Sequence, residues 1–268
     1  MLGELRQLVH QPDRGGHLLL GGLVDEALGQ RSRPAGQRAV EVQQLTGLLA
    51  GARGLPDDLA ATLATEGSFR NSGQRCTAVK RILVEEPVLD EFTDRFVANA
   101  AEFTVGDPAD EATRIGTVID EPAAIVLEER VAKAVAAGAE VLLGGNRNGA
   151  QLEPTIIANV PRDAEMVREE SFGPLAPIMP VRDLDDAIAL ANASDFGLSS
   201  GVVTNDMAAA IRVVKELKTG AVNVNQVPGF RMESSPFGGV KDSGLGIKEG
   251  VIQAMKFMST TKTFSLPW

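Results

Sequence analysis

The chain has 268 residues, 44% hydrophobic and 23% charged, the balance of a soluble globular protein long enough to bury a sizeable core as one large α/β domain or two small ones. A formal net charge of −10 argues against a nucleic-acid partner, which needs clustered positive charge. A single cysteine excludes an internal disulfide and points to a reducing, cytoplasmic setting, and no apolar run is long enough to cross a bilayer.

Residues 1–56 read differently from the rest. They hold six arginines against five acids, with no lysine, isoleucine or phenylalanine, which leaves twenty basic and thirty-one acidic residues for 57–268. Both histidines, His10 and His17, lie here. Leucine patches are broken by glycine pairs, helical periodicity is weak except around 39–49, and no β-branched run predicts a strand. The composition shift places a boundary at Leu55-Pro56-Asp57. The segment reads either as a loosely helical appendage or as translation from a shifted reading frame, since arginine without lysine is typical of GC-rich codons read out of frame.

From 57 onward helices and strands alternate. Leu59 and Leu63 set a helix over 57–65, and 78–84 is β-rich. Leu89, Phe92, Phe96, Ala100 and Phe103 form one stripe of a helix over 88–103. Asp120 caps a helix over 121–137 that stops at Gly138, followed by strands at 140–143 and 154–160. Asp183 precedes a helix over 184–193, 200–204 is a strand, Asn205 precedes a helix over 206–217, and 221–225 is a strand. The alternation predicts a parallel or mixed sheet covered by helices. The Thr-rich tail, 258–268, reads as an edge strand able to pair with another chain.

The chemistry gathers on loops. Cys76 stands beside Arg75, after Gly73 and four residues before Lys80, and a neighbouring cation favours the nucleophilic thiolate. No histidine follows His17, so the body has neither a Cys–His pair nor a Cys/His cluster for a transition metal. The four glycines between 238 and 246 lack the Gly-Lys-Ser/Thr order of a phosphate-binding loop.

Four motifs, in order and spacing, carry a resemblance: Ser-Gly-Gln-Arg-Cys (72–76), Glu-Ser-Phe-Gly-Pro (170–174), Asn-Val-Asn (223–225) and Pro-Phe-Gly-Gly-Val-Lys-Asp-Ser-Gly (236–244). Together they resemble the catalytic half of the NAD(P)-dependent aldehyde dehydrogenases, over residues 57–268. Gln-Arg-Cys-Thr-Ala-Val-Lys-Arg, Pro-Gly-Phe-Arg and the ending Lys-Thr-Phe-Ser-Leu-Pro-Trp are most similar to the phosphonoacetaldehyde-oxidising members.

The resemblance implies a three-layer α/β catalytic domain over 57–257 and an oligomerisation strand over 258–268 that builds a homodimer or homotetramer. It implies that Cys76 adds to an aldehyde to give a thiohemiacetal. Hydride then passes to NAD or NADP, and water cleaves the resulting thioester. Glu170 would bind the nicotinamide ribose and Phe172 would lie near the ring. Arg75 and Arg231 would hold a short anionic aldehyde such as phosphonoacetaldehyde, since a guanidinium grips such anions through paired hydrogen bonds. The resemblance also implies a dinucleotide-binding domain, a general-base glutamate and an oxyanion-hole asparagine that these residues do not supply, with Glu66 and Glu170 the only carboxylates near the motifs. An alternative reading follows: a catalytically silent catalytic domain that at most associates with intact subunits.

Overall fold

The computed structural model describes residues 47–50, 59–244 and 249–267. Its elements run β1 (Gly47–Ala50), α1 (Leu59–Phe69), β2 (Arg81–Glu85), α2 (Leu89–Ala101), α3 (Glu121–Ala136), β3 (Glu140–Leu143), β4 (Arg147–Asn148) and β5 (Gln151–Leu152). Then follow β6 (Thr155–Ala158), α4 (Glu165–Arg168), β7 (Leu175–Val181), α5 (Leu184–Asn192), β8 (Phe196–Gly197) and β9 (Ser199–Val203). The series ends with α6 (Met207–Glu216), β10 (Ala221–Val224), β11 (Val240–Lys241) and α7 (Val251–Phe257). Seven strands form one sheet in the order β10-β9-β1-β2-β7-β6-β3, parallel except for β3, which pairs antiparallel with β6 at the edge.

Alternation along the strands builds a core on each face. In β2, Ile82 and Val84 join one buried cluster and Leu83 the other; in β6, Ile156 and Ile157 divide the same way. Ala61, Ala64 and Phe69 of α1 and Phe92, Phe96 and Ala100 of α2 cover one face. Leu127 and Val131 of α3, Ile188 of α5 and Val213 of α6 cover the other. The expected three-layer arrangement of helices about a mostly parallel sheet is present.

Helix starts follow the capping chemistry. The Asp120 carboxylate accepts from Ala123 N–H at 2.8 Å and that of Asp183 from Asp186 N–H at 2.8 Å. The cap of α6 is Asp206, which accepts from Ala208 N–H at 2.7 Å, rather than the Asn205 that the sequence suggested. Buried Asp186 is gripped by Arg162 through two 2.7 Å hydrogen bonds, which hold its carboxyl well below the usual carboxylate range.

Two expectations change. Gly47–Ala50 is a strand lying between β2 and β9, so the sheet draws on the chain before Asp57, and neither a boundary there nor a helix through 49 fits these four residues. The reason is sheet pairing: backbone hydrogen bonds on both sides hold a strand that its glycine and leucines alone do not announce. The remaining expectations for 1–46 and 51–58 lie outside the described residues. At the other end, residues 258–267 form no strand and are exposed, with α7 preceding them. An edge strand needs a neighbour, and a single chain supplies none there.

Phe96 is fully buried, stacked on Phe69 at 5.8 Å and on Phe92 at 5.6 Å between ring centroids. Truncating Phe96→Ala leaves a cavity in this aromatic cluster and lowers stability by about 3–5 kcal/mol. A lower urea midpoint at unchanged slope is the expected result; a midpoint within error of the parent would contradict this packing.

Candidate active site

Cys76 lies at the tip of a tight turn closed by Ala78 N–H donating to Arg75 carbonyl at 3.0 Å. The turn is tied back to the end of α1 by Val79 N–H on Gly67 carbonyl at 2.9 Å. Among the described residues Cys76 is the one cysteine, free and exposed.

Before it, Asn71, Ser72 and Gly73 all run in the left-handed region, at φ 58°, 53° and 67°. Gly73 has a second reason to be glycine: a Cβ there would lie 2.2 Å from Gly173 carbonyl oxygen. The cysteine loop and the Glu170 loop therefore meet backbone to backbone. Lys80 bridges them. Its Nζ donates to Gly73 carbonyl at 2.7 Å and stands 5.0 Å from the Phe172 ring centroid, with the residue 2% exposed.

The Glu170 loop is clamped from α3, where Arg130 donates to the Glu170 carbonyl and, at 3.1 Å, to Glu165. Lys133 joins Glu165 at 2.7 Å. Phe172 sits at φ 38° with its ring partly exposed. A third loop folds back from β10. Asn223 Nδ2 donates to the carbonyls of Val227, Pro228 and Phe230 at 3.0–3.1 Å, and Asn225 pairs with both backbone groups of Thr204. The result packs Gly229 on the cysteine turn, where a Cβ would meet Thr77 Oγ1 at 2.7 Å.

The structure thus brings Cys76, Glu170, Phe172 and the loop of Arg231 together. The two arginines, both expected at the substrate, stand in different settings. Arg75 Nη2 donates to the Glu66 and Gly67 carbonyls at 3.2 and 3.0 Å, so its fork caps the end of α1. Arg75 was expected to bind substrate, and here its Nη2 is engaged by these main-chain carbonyls. Arg231 pairs with exposed Glu249 and lies 4.6 Å from the Phe237 ring centroid. Glu66 is committed to Arg114 at 3.1 Å and Arg70 at 3.5 Å. The glycine-rich 238–244 loop is a packing turn: Ser243 Oγ accepts from Gly197 N–H at 2.9 Å, and β11 pairs with β8.

The electrostatics also depart from the sequence argument. Partial burial pushes the Cys76 thiol up, and the Glu170 carboxylate pushes it further; the Thr77 and Cys76 N–H groups and then Lys80 pull it down, and lose. A nearby cation was legible in the sequence, but the opposing carboxylate ninety-four residues away was not. Arg130 carried no signal either, because a basic residue on an amphipathic helix reads as solvated surface.

Comparison with known proteins now decides the family. The Aldehyde dehydrogenase family model matches residues 55–264. This chain belongs to the aldehyde dehydrogenase family. It is 40% identical over 205 residues to the lactaldehyde dehydrogenase of Methanococcus maripaludis, covering 76% of this chain and 44% of that protein. It is 38% identical over 206 residues to the sulfoacetaldehyde dehydrogenase of Neptuniibacter caesariensis, covering 77% and 45%. Among solved structures, glyceraldehyde-3-phosphate dehydrogenase from Methanocaldococcus jannaschii complexed with NADP superposes with a TM-score of 0.76 at 37% identity, covering 81% of this chain and 46% of that one. The aldehyde dehydrogenase chain described here therefore spans less than half the length of these relatives.

Replacing Glu170→Gln removes the carboxylate that raises the thiol. The expected outcome is faster alkylation of Cys76 by iodoacetamide at neutral pH, with the midpoint of the rate's pH profile moved down. A midpoint that stays or rises would show that Glu170 does not face the sulfur.

Proposed function

We propose that this chain carries the cysteine-bearing part of an aldehyde-oxidising site, and that Cys76 is its covalent nucleophile toward a short anionic aldehyde. The observation that carries the reading is the placement of the one exposed thiol at the meeting of three loops, each fixed by backbone contacts. The thiolate adds to the carbonyl carbon, and a C–S bond forms as the carbonyl π pair moves to oxygen. In this reading the Cys76 N–H, on the nucleophile's own residue, donates to that developing oxyanion. Such a donor is typically worth about 3–4 kcal/mol of barrier.

Glu170 and Phe172 suit the nicotinamide end of NAD or NADP: a carboxylate accepts from ribose hydroxyls, and a partly exposed ring offers a flat apolar surface. When bound, the nicotinamide supplies the acceptor for the two electrons lost as the adduct becomes a thioester. Water then releases the acid. Solved relatives in complex with NADP support the cofactor, and relatives named for lactaldehyde and sulfoacetaldehyde support a short substrate.

Arg231 is the residue for the substrate's anionic group. Its ion pair with Glu249 is about half exposed on both sides, so the partner is exchangeable for a sulfonate, phosphonate or phosphate. Arg75, already capping α1, adds positive charge beside the nucleophile.

The test is protection of Cys76 in the purified full chain. Sulfoacetaldehyde and phosphonoacetaldehyde slow its alkylation at concentrations where propionaldehyde does not. Arg231→Met weakens that protection about tenfold, the worth of one charge-assisted hydrogen bond. Equal protection by charged and neutral aldehydes would remove the anionic-substrate reading. No protection by any aldehyde would remove Cys76 as the nucleophile.

A further inference from the structure

Lys80 is a buried charge beside the cysteine that the reaction above does not use. It follows the cysteine turn immediately before β2, and its residue is 2% exposed. Burying an ammonium is costly unless something offsets it, and a lysine of ordinary structural purpose would snorkel to water. Here Nζ turns inward. It donates to Gly73 carbonyl at 2.7 Å, the same residue whose missing Cβ admits the Glu170 loop, and stands 5.0 Å from the centroid of the Phe172 ring on that second loop. Its charged neighbours are Glu170, Arg75 and Cys76. Glu170 and the thiolate favour its proton and Arg75 opposes it, and burial outweighs them to bring it down to about 8.

We propose that Lys80 is a positioning residue for Cys76: its buried ammonium fastens the cysteine loop to the Glu170 loop and supplies the countercharge for the thiolate. Glu170 opposes ionisation of the thiol from one side of the loop junction, and Lys80 is the cation placed to offset it. Arg75 is nearer in sequence, but its Nη2 is held on α1 carbonyls. An apolar side chain at 80 would leave Glu170 as the dominant charge seen by the sulfur.

The proposal deepens the assignment of Cys76 and uses a readout independent of it. Because Cys76 is the only cysteine in the chain, alkylation kinetics report this thiol alone. In the full-length chain, Lys80→Met is expected to slow alkylation several-fold at neutral pH and move the midpoint of the profile upward. Lys80→Arg, keeping the charge, is expected to restore most of the rate. The sign of the pH dependence follows from the amine. Its proton, held below about pH 8, is lost above it, so the wild type's advantage over Lys80→Met narrows as pH rises past that point. Lys80→Arg keeps its advantage there.

An unchanged profile in folded Lys80→Met would overturn the proposal. So would a deficit that persists undiminished at high pH and is not repaired by arginine, because that is the mark of lost packing alone. Should Lys80→Met fail to fold, the comparison of wild type with Lys80→Arg above pH 8 still decides: parallel profiles reject the countercharge. A profile that responds to Lys80 while no aldehyde protects Cys76 would sink the proposed function and leave this inference standing.

Discussion

Three consecutive left-handed residues, Asn71, Ser72 and Gly73, are the constraint from which the site is built. For residues with a Cβ this conformation costs about 1–2 kcal/mol each, and it is seldom held by neighbours in succession. The surrounding contacts must over-determine it. Gln74 N–H returns to Asn71 carbonyl at 3.0 Å, Asn71 Nδ2 reaches Gln74 carbonyl at 3.3 Å, and Lys80 takes the Gly73 carbonyl. The turn converts the end of α1 into the cysteine loop and presents the Gly73 backbone to Gly173. Without it the two loops would stand apart, and Glu170, Lys80 and Cys76 would no longer sense one another's charge.

Sheet topology explains why these two loops are neighbours at all. The cysteine loop leads into β2 and the Glu170 loop into β7, and β2 and β7 are adjacent parallel strands with Ile82 beside Ile178. Segments entering adjacent parallel strands arrive at the same edge of the sheet. In open α/β sheets functional groups more often gather beyond the carboxyl ends of strands. Here the third loop starts from that opposite end, at β10, and is folded back by the three carbonyls that Asn223 captures. The Asn-Val-Asn motif is therefore scaffolding for the site, one asparagine drawing the loop in and the other pinning β10 to Thr204.

The sequence pattern made most of the layers legible because the physics behind it is local. Aspartate caps, the aromatic stripe of α2 and the alternation in β2 and β6 each act within a few residues. The elements it hid are those that depend on neighbours. β7 sits inside the sheet although it contains Pro177 and Pro180, which lack a donor and argue against a central strand. The registers resolve this: β6 pairs with 175–177 and β2 with 178–181, so Pro180 has a ladder partner on one side only. β1 was hidden for a related reason, since Gly-Leu-Leu-Ala is no β-propensity signal and only the flanking β2 and β9 make it a strand. At the site, residue types were readable but directions were not. Nothing in Gln-Arg-Cys says that the guanidinium turns to cap α1 while the lysine four residues on turns inward.

That division of labour between the two cations bears on reactivity. Arg75 holds its charge at any physiological pH and commits its Nη2 to main-chain carbonyls of α1; Lys80, softened by burial, holds a charge that the site can lose. The thiol consequently sits between a carboxylate that suppresses its ionisation and an ammonium that favours it, with partial burial adding to the former. A resting thiol kept mostly protonated is less open to adventitious oxidation. Any group that hydrogen-bonds the Glu170 carboxylate draws off part of its opposing field and leaves Lys80 the stronger influence on the sulfur. The same loop junction that positions Cys76 thus also ties its ionisation to what occupies Glu170.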